Sequence, residues 1–222
     1  MAKIVWDESV DRRYETGVDQ GVLYPRAADG TYPLGVAWNG LTSVNENPTG
    51  ADETKLWADN IKYLSMRAAE EFGATIEAYT YPDEFMECDG TKAIIDGVYA
   101  GQQTRKPFGF CYRTVVGNDA QGNDYGYKLH LIYGCTANPS SKNYQTINES
   151  PEAVTFSWEI ATTMTEVGTG FKPTATIVID STKVPQAKQA KLEELKDALY
   201  GTQNADPYLP LPTQVLSMFT AQ

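Results

Sequence analysis

The chain has 222 residues, 41% of them hydrophobic, and carries 29 Asp and Glu against 18 Lys and Arg, a formal charge of −11. That apolar content supports a sizeable core and excludes wholesale disorder. The acidic balance argues against adhesion to nucleic acid, whose phosphates demand a basic surface, and the length suits one domain spanning 1–222, with or without an extended arm.

The first residues, Met1-Ala2-Lys3-Ile4-Val5-Trp6-Asp7, hold one base and no long apolar run, so no signal peptide is expected. No stretch approaches about 18 consecutive apolar residues, and no membrane span is expected. The segment from Asn45 to Thr54 is long, polar and without periodicity, which predicts a loop. In residues 55–72, Trp57, Ile61, Leu64, Ala68 and Phe72 would line one face of a helix, and the propensities allow it.

Strand signals dominate the centre. From Ala74 to Tyr81, Thr75, Glu77, Tyr79 and Tyr81 fall on one face and Ala74, Ile76, Ala78 and Thr80 on the other. Phe108 to Val116 and Tyr127 to Tyr133 predict two further strands with less regular alternation, joined by a long polar hairpin loop, Gly117 to Asp124. Val154, Phe156, Trp158 and Ile160 share a face, opposed by Thr155, Ser157, Glu159 and Ala161. Ala175, Ile177 and Ile179 point together in a strand over Thr174 to Asp180.

Helix is sparse. Pro185 opens and Gly201 stops a run over 185–200, where Leu192, Leu195 and Leu199 form an apolar stripe suited to lying on a sheet. A shorter turn is expected over Thr213 to Phe219, within a C-terminal extension from 205 to 222 that follows the proline-rich Pro207 to Pro212. The fold class is therefore mainly β: an antiparallel sandwich with a flanking α-helix.

Chemical motifs are scarce. The lone histidine, His130, sits within a strand pattern with no nucleophile signature nearby. No phosphate loop or nucleophile elbow occurs, and Gly168-Thr169-Gly170 reads as a plain turn. Asp119, Asn123 and Asp124 offer oxygen ligands without the closing glutamate of a calcium loop, so a hairpin turn is the better reading. Asn148-Glu149-Ser150 fits a glycosylation sequon, which without export means nothing, and no export is expected. The three cysteines, Cys88, Cys111 and Cys135, lack metal spacing and are expected as buried free thiols in a reducing compartment. No catalytic, cofactor or metal site is expected.

The order of several segments carries a resemblance: Tyr14 to Asp19, Gly21 to Pro25, Gly35 to Leu41, Leu56 to Leu64, Glu70 to Phe85, Tyr125 to Gly134, Phe156 to Glu159 and Phe171 to Ala175. Over nearly the whole chain this resembles the major tail tube proteins of long-tailed, siphovirus-type bacteriophages. The resemblance implies two packed β-sheets with a flanking helix, and within residues 55–72 it implies, against the helix, that Leu56-Asn60 and Ile61-Met66 are parts of strands meeting near Asp59-Asn60. It implies hexameric rings stacked into a tube around a tape-measure protein, in contact with tail terminator and baseplate or distal tail proteins. DNA would pass through the lumen without specific binding, in a virion tail assembled in the host bacterial cytoplasm. On that reading Thr155, Ser157 and Glu159, then Thr75 and Glu77, are candidates to face the lumen, and Asn45, Glu46, Asn47, Asp52 and Glu53 to form an inter-ring loop. The high content of Tyr and Trp leaves a carbohydrate-binding sandwich, such as a virion decoration domain, as the alternative.

Overall fold

A computed structural model of the chain describes Ile4, Trp6, residues 12–147, Glu149 and residues 152–220. In chain order its elements are β1 (Arg13–Pro25), β2 (Val36–Ala37), β3 (Leu41–Glu46), β4 (Thr49–Gly50), β5 (Glu53–Ala58), β6 (Ile61–Arg67), β7 (Glu70–Glu71) and β8 (Gly73–Ala78). There follow α1 (Phe85–Cys88), β9 (Lys92–Ile95), β10 (Val98–Ala100), β11 (Phe108–Asn118), β12 (Gly122–Ala137), β13 (Phe156–Thr162), β14 (Thr176–Asp180), α2 (Gln189–Tyr200) and α3 (Pro212–Thr220). The fold is mainly β, as composition and alternation predicted.

One antiparallel sheet runs β2-β1-β11-β12 and continues through β13-β8-β3, with β14 also on β12. Strand β12 makes this possible by changing partner. Its residues Lys128 to Ile132 pair with β14, and Cys135 to Ala137 pair with β13. Gly134 lies between them at φ +61°, and a Cβ there would sit 2.5 Å from the Thr163 carbonyl oxygen. Only glycine tolerates both that conformation and that approach. The sheet therefore folds over on itself into two layers.

Between the layers lies one core, in which Leu23, Phe110 and Ile132 meet Ile76, Trp158 and Ile160. Trp38, Phe85 and Trp158 form its aromatic centre, with ring centroids 4.6 to 5.5 Å apart. The opposite face of β1, β11 and β12 builds a second core, where Tyr24, Leu131 and Tyr133 pack on Leu192, Leu195 and Leu199 of α2 and Val215 of α3. Hydroxyls fasten this helical layer: Tyr24 donates to the Leu199 carbonyl at 2.6 Å and Tyr133 to the Pro210 carbonyl at 3.0 Å. Strands covered on both faces need apolar side chains in both directions, which is why β11 and β12 show weak alternation.

Several expectations change in detail. The predicted helix over 185–200 begins with a 3-10 turn, Gln186–Lys188, before α2, and ends at Gly201 with φ +77° as foreseen. The expected turn near Thr213 is α3, and within the C-terminal extension from 205 Leu209, Pro210 and Val215 are buried. Its last two positions, Ala221 and Gln222, lie outside the described residues. The predicted eight-residue loop from Gly117 to Asp124 is in fact a tight turn between Asn118 and Gly122, because the Asn118 side chain accepts from the backbone N–H groups of Ala120 and Gln121 at 3.2 and 2.6 Å.

All three cysteines are buried and free. Cys111 and Cys135 stand on paired strands but belong to different cores. Burial pushes the Cys88 and Cys111 thiols up to about 12 and raises Cys135 further. Among the described residues no helix is long and apolar enough to cross a membrane. The sequon expectation rests on Asn148 and Ser150, which lie outside the described residues; of the segment Met1 to Asp7 only Ile4 and Trp6 are described, both exposed.

Candidate functional site

Two surfaces stand out. The first is the outer face of the layer β3-β8-β13. Inner positions Ala74, Ile76 and Ala78 of β8 are buried, so the intervening Thr75 and Glu77 point outward. The register sets Ser157 and Ser43 on either side of Glu77, and Glu159 and Asn45 on either side of Thr75. The Ser43 hydroxyl donates to Glu77 Oε2 at 2.8 Å, and Asn47 Nδ2 donates to Thr75 Oγ1 at 3.1 Å. Thus Thr75, Glu77, Ser157 and Glu159, distant in sequence, are brought into one polar patch, and Asn45 and Asn47 join it. Thr155 is exposed just ahead of β13. The patch holds two carboxylates, Glu77 and Glu159, and no cation among its outward positions.

The segment Asn45 to Thr54 is not the loop its polarity suggested. Asn45 and Glu46 finish β3, Thr49–Gly50 pairs with β7, and Glu53 and Thr54 begin β5. Backbone pairing supplies the order here, and side chains exposed on both faces leave no periodicity to read. Asp52 stays exposed between β4 and β5. Glu46 leaves the group altogether, because Glu46 pairs with the buried Ala74 and so faces inward. Its Oε1 accepts from the Tyr112 hydroxyl at 2.7 Å and lies 3.5 Å from His130 Nδ1. The His130 ring stacks on Tyr112 at 4.4 Å, with its Nε2 3.0 Å from Thr114 Oγ1. The nearby His130 ring holds the Glu46 carboxyl below the usual carboxylate range; burial opposes it as the next largest effect, and the Tyr112 hydroxyl adds a smaller push in the same direction as His130. The lone histidine thus belongs to a polar clasp between the two layers.

The second surface is an arm. Among the described residues, strands β5 and β6 pair only with each other, and they turn at Asp59 and Asn60, both left-handed at φ 51° and 62°. Asp and Asn tolerate that conformation, and two consecutive left-handed residues close a two-residue hairpin with the twist strands prefer. The strand reading of residues 55–72 therefore holds over the helical one. Register shows an amphipathic ribbon. Leu56 opposes Leu64, Ala58 opposes Ile61 and Thr54 opposes Met66, so these share one face. Glu53, Lys55, Trp57, Lys62 and Arg67 occupy the other, where Lys62 donates to Glu53 at 2.8 Å. Tyr63 is the extra residue at a bulge between the Leu56 and Trp57 pairs. That bulge breaks the alternation and hid the two faces from sequence reading.

Leu56, Ile61, Leu64 and Met66 are 42 to 64% exposed. A second hairpin, β9–β10, repeats the theme with Ile94, Ile95, Val98 and Tyr99 at 47 to 67%. Sequence reading passed over it, although Asp96-Gly97 between apolar residues is a strong hairpin signal. Contiguous apolar exposure of this kind marks an interaction surface.

No family model and no curated protein matches this chain. Among solved structures it is similar to the sheath/tube terminator of an extracellular contractile injection system, PVC, in the extended state, with TM-score 0.32 and 9% identity over 80% of this chain and 99% of that one. It is also similar to a chain of the sheath-tube complex of that system, with TM-score 0.31 and 11% identity over 72% of this chain and 88% of that one.

Proposed function

We propose that this chain is a structural subunit of a phage tail tube that assembles with its own copies into hexameric rings, stacked around a tape-measure protein. The observation that carries this reading is the arm. It presents Leu56, Ile61, Leu64 and Met66 on one face, and among the described residues its own subunit offers nothing to cover them. An amphipathic ribbon of this length is not stable in isolation, so its apolar face is best explained by association. The resemblance of the sequence to tail tube proteins supplies the kind of assembly.

The polar patch on β3-β8-β13 fits the lining of the tube. Hydroxyls, amides and two carboxylates, with no cation, present DNA with a surface that does not grip phosphates. Genome passage then depends on the absence of attraction at every ring. The subunit acts by shape and requires no turnover. Tail terminator and distal tail proteins would cap the two ends of the tube, placing the protein in the virion tail.

Negative-stain microscopy of the purified chain in buffer free of nucleotide and added metal tests the proposal: hollow tubes or rings are expected. Replacing residues 53–67 by a short Gly-Ser turn should leave a folded monomer that forms neither. Dispersed wild-type monomers retained on a glycan column would overturn the assembly reading in favour of a carbohydrate-binding sandwich.

A further inference from the structure

An apolar face needs a receptor, and one candidate lies at the foot of the arm itself. A cleft of about 560 Å³ lined by Lys128, Val178 and Lys183 sits on the α3 side of β14, but it is occupied at its edges by internal pairing, Lys128 with Glu15 and Lys183 with Asp180. A second cleft, of about 550 Å³, opens where the arm leaves the body. Ala68, Ala69, Phe72, Met164 and Pro173 give it an apolar lining, joined by the exposed Arg67, Lys172 and Glu70. The alanines keep it open. The buried Thr176 hydroxyl in its wall has no hydrogen-bond partner.

The distal end of the arm is the complement of this cleft. Ala58 and Ile61 close its apolar face, and Asp59 is the only charged residue in the turn between them. Asp59 has no cation partner within the molecule, and neither Arg67 nor Lys172 has a carboxylate partner, among the described residues. An apolar tip carrying one unpaired negative charge thus faces an apolar cleft carrying two unpaired positive charges and one negative.

We propose that the arm tip of one copy seats in the arm-root cleft of the next, with Ile61 inserted and Asp59 beside Lys172. This inference rests on the self-assembly reading above. A copy cannot fill its own cleft, because β6 spans seven residues from Ile61 to Arg67, about 23 Å at the rise of a strand, between tip and root. The contact is therefore head to tail. It passes from copy to copy without saturating, as an interface that builds rings or filaments must, and it spaces neighbours by about that same 23 Å along the arm.

Charge exchange tests the pairing. Asp59→Lys and Lys172→Glu should each raise the protein concentration needed for assembly by about tenfold or more, since each places like charges together, and the double variant should restore assembly close to wild type. Circular dichroism and monomer melting confirm that each variant is folded. Singles without effect, or a folded double variant as defective as the singles, would overturn the tip-to-root contact while leaving self-assembly standing. A wild-type chain that never assembles would instead remove the reading beneath it. As a second measurement, oxidation of a chain carrying Asp59→Cys and Lys172→Cys should give a ladder of covalent oligomers, the native thiols being buried. A ladder that stops at dimers would show symmetric arm-to-arm pairing, and an internally bridged monomer would show an arm folded back; either result refutes the proposal.

Discussion

Strands β11 and β12 and strands β5 and β6 are both antiparallel hairpins rich in apolar residues, yet the molecule treats them in opposite ways. The first pair is covered on both faces, by the aromatic core on one side and by α2 and α3 on the other. Among the described residues the second is covered on neither. The same local preference therefore serves two purposes, and burial rather than strand content separates them. Residues in the central pair determine whether the subunit folds; residues in the arm determine what the folded subunit meets. If that division is right, the two sets of positions should fail independently.

The largest stability effect belongs to the core. Trp158 is fully buried against Trp38, Phe85 and Tyr81. Trp158→Ala should lower unfolding free energy by about 3–5 kcal/mol, the usual result of emptying an aromatic site, as read from urea denaturation of unassembled protein. Next comes Gly134, where β12 passes between layers. Gly134→Ala combines a left-handed backbone with a clash on the Thr163 carbonyl, and should cost about 2 kcal/mol or more by the same assay. A full-stability Gly134→Ala would mean that the strand does not need its bend to join the two layers. The arm should behave in the reverse manner. Leu56→Ser with Leu64→Ser should change monomer stability by only about 0.5 kcal/mol, as exposed positions do, while abolishing assembly seen by sedimentation. A large loss of monomer stability from the pair would erase the distinction between the two regions.

The same contrast explains which parts of the fold are legible in the sequence. Half-buried strands announce themselves: Ala74, Ile76 and Ala78 against Thr75 and Glu77, or Trp158 and Ile160 against Ser157 and Glu159, alternate because one face meets the core and the other does not. Their polar sides proved to be neighbours, although nothing in either segment says that Ser157 opposes Glu77; register is a property of pairs of strands. In the arm both faces are exposed, so the selection that imposes alternation is absent, and the bulge at Tyr63 shifts what remains. Glu46 was grouped with Asn45 and Asn47 by proximity in sequence, yet one step along a strand reverses the face. It points inward to Tyr112 and His130 while Asn45 points outward to the polar patch. The packing of the C-terminal segment left no signal for a different reason: it is anchored by the Pro210 carbonyl accepting from Tyr133 and by the Leu209 N–H donating to the Tyr32 carbonyl, and backbone groups leave no mark in sequence.

The clasp around Glu46 lies between the two regions, at the end of the strand that leads into the arm, and it should give the smallest effect. Glu46→Gln leaves the Tyr112 hydroxyl an acceptor, and the carboxylate is partly exposed, so the loss at neutral pH should stay near about 0.5 kcal/mol. Its pH dependence is more diagnostic than its size. The Glu46 carboxyl is held below its ordinary value in the folded protein, so folding favours the deprotonated form. That contribution is present above the unfolded carboxylate value of about 4.3 and disappears as pH falls through the lower folded value. The wild type should therefore lose its advantage over Glu46→Gln on acidification, and melting curves of the two proteins at pH 7 and pH 3 should converge. A gap of equal size at both would show that the side chain contributes by packing alone, and that the ionised clasp takes no part in tying the arm's leading strand to the central sheet.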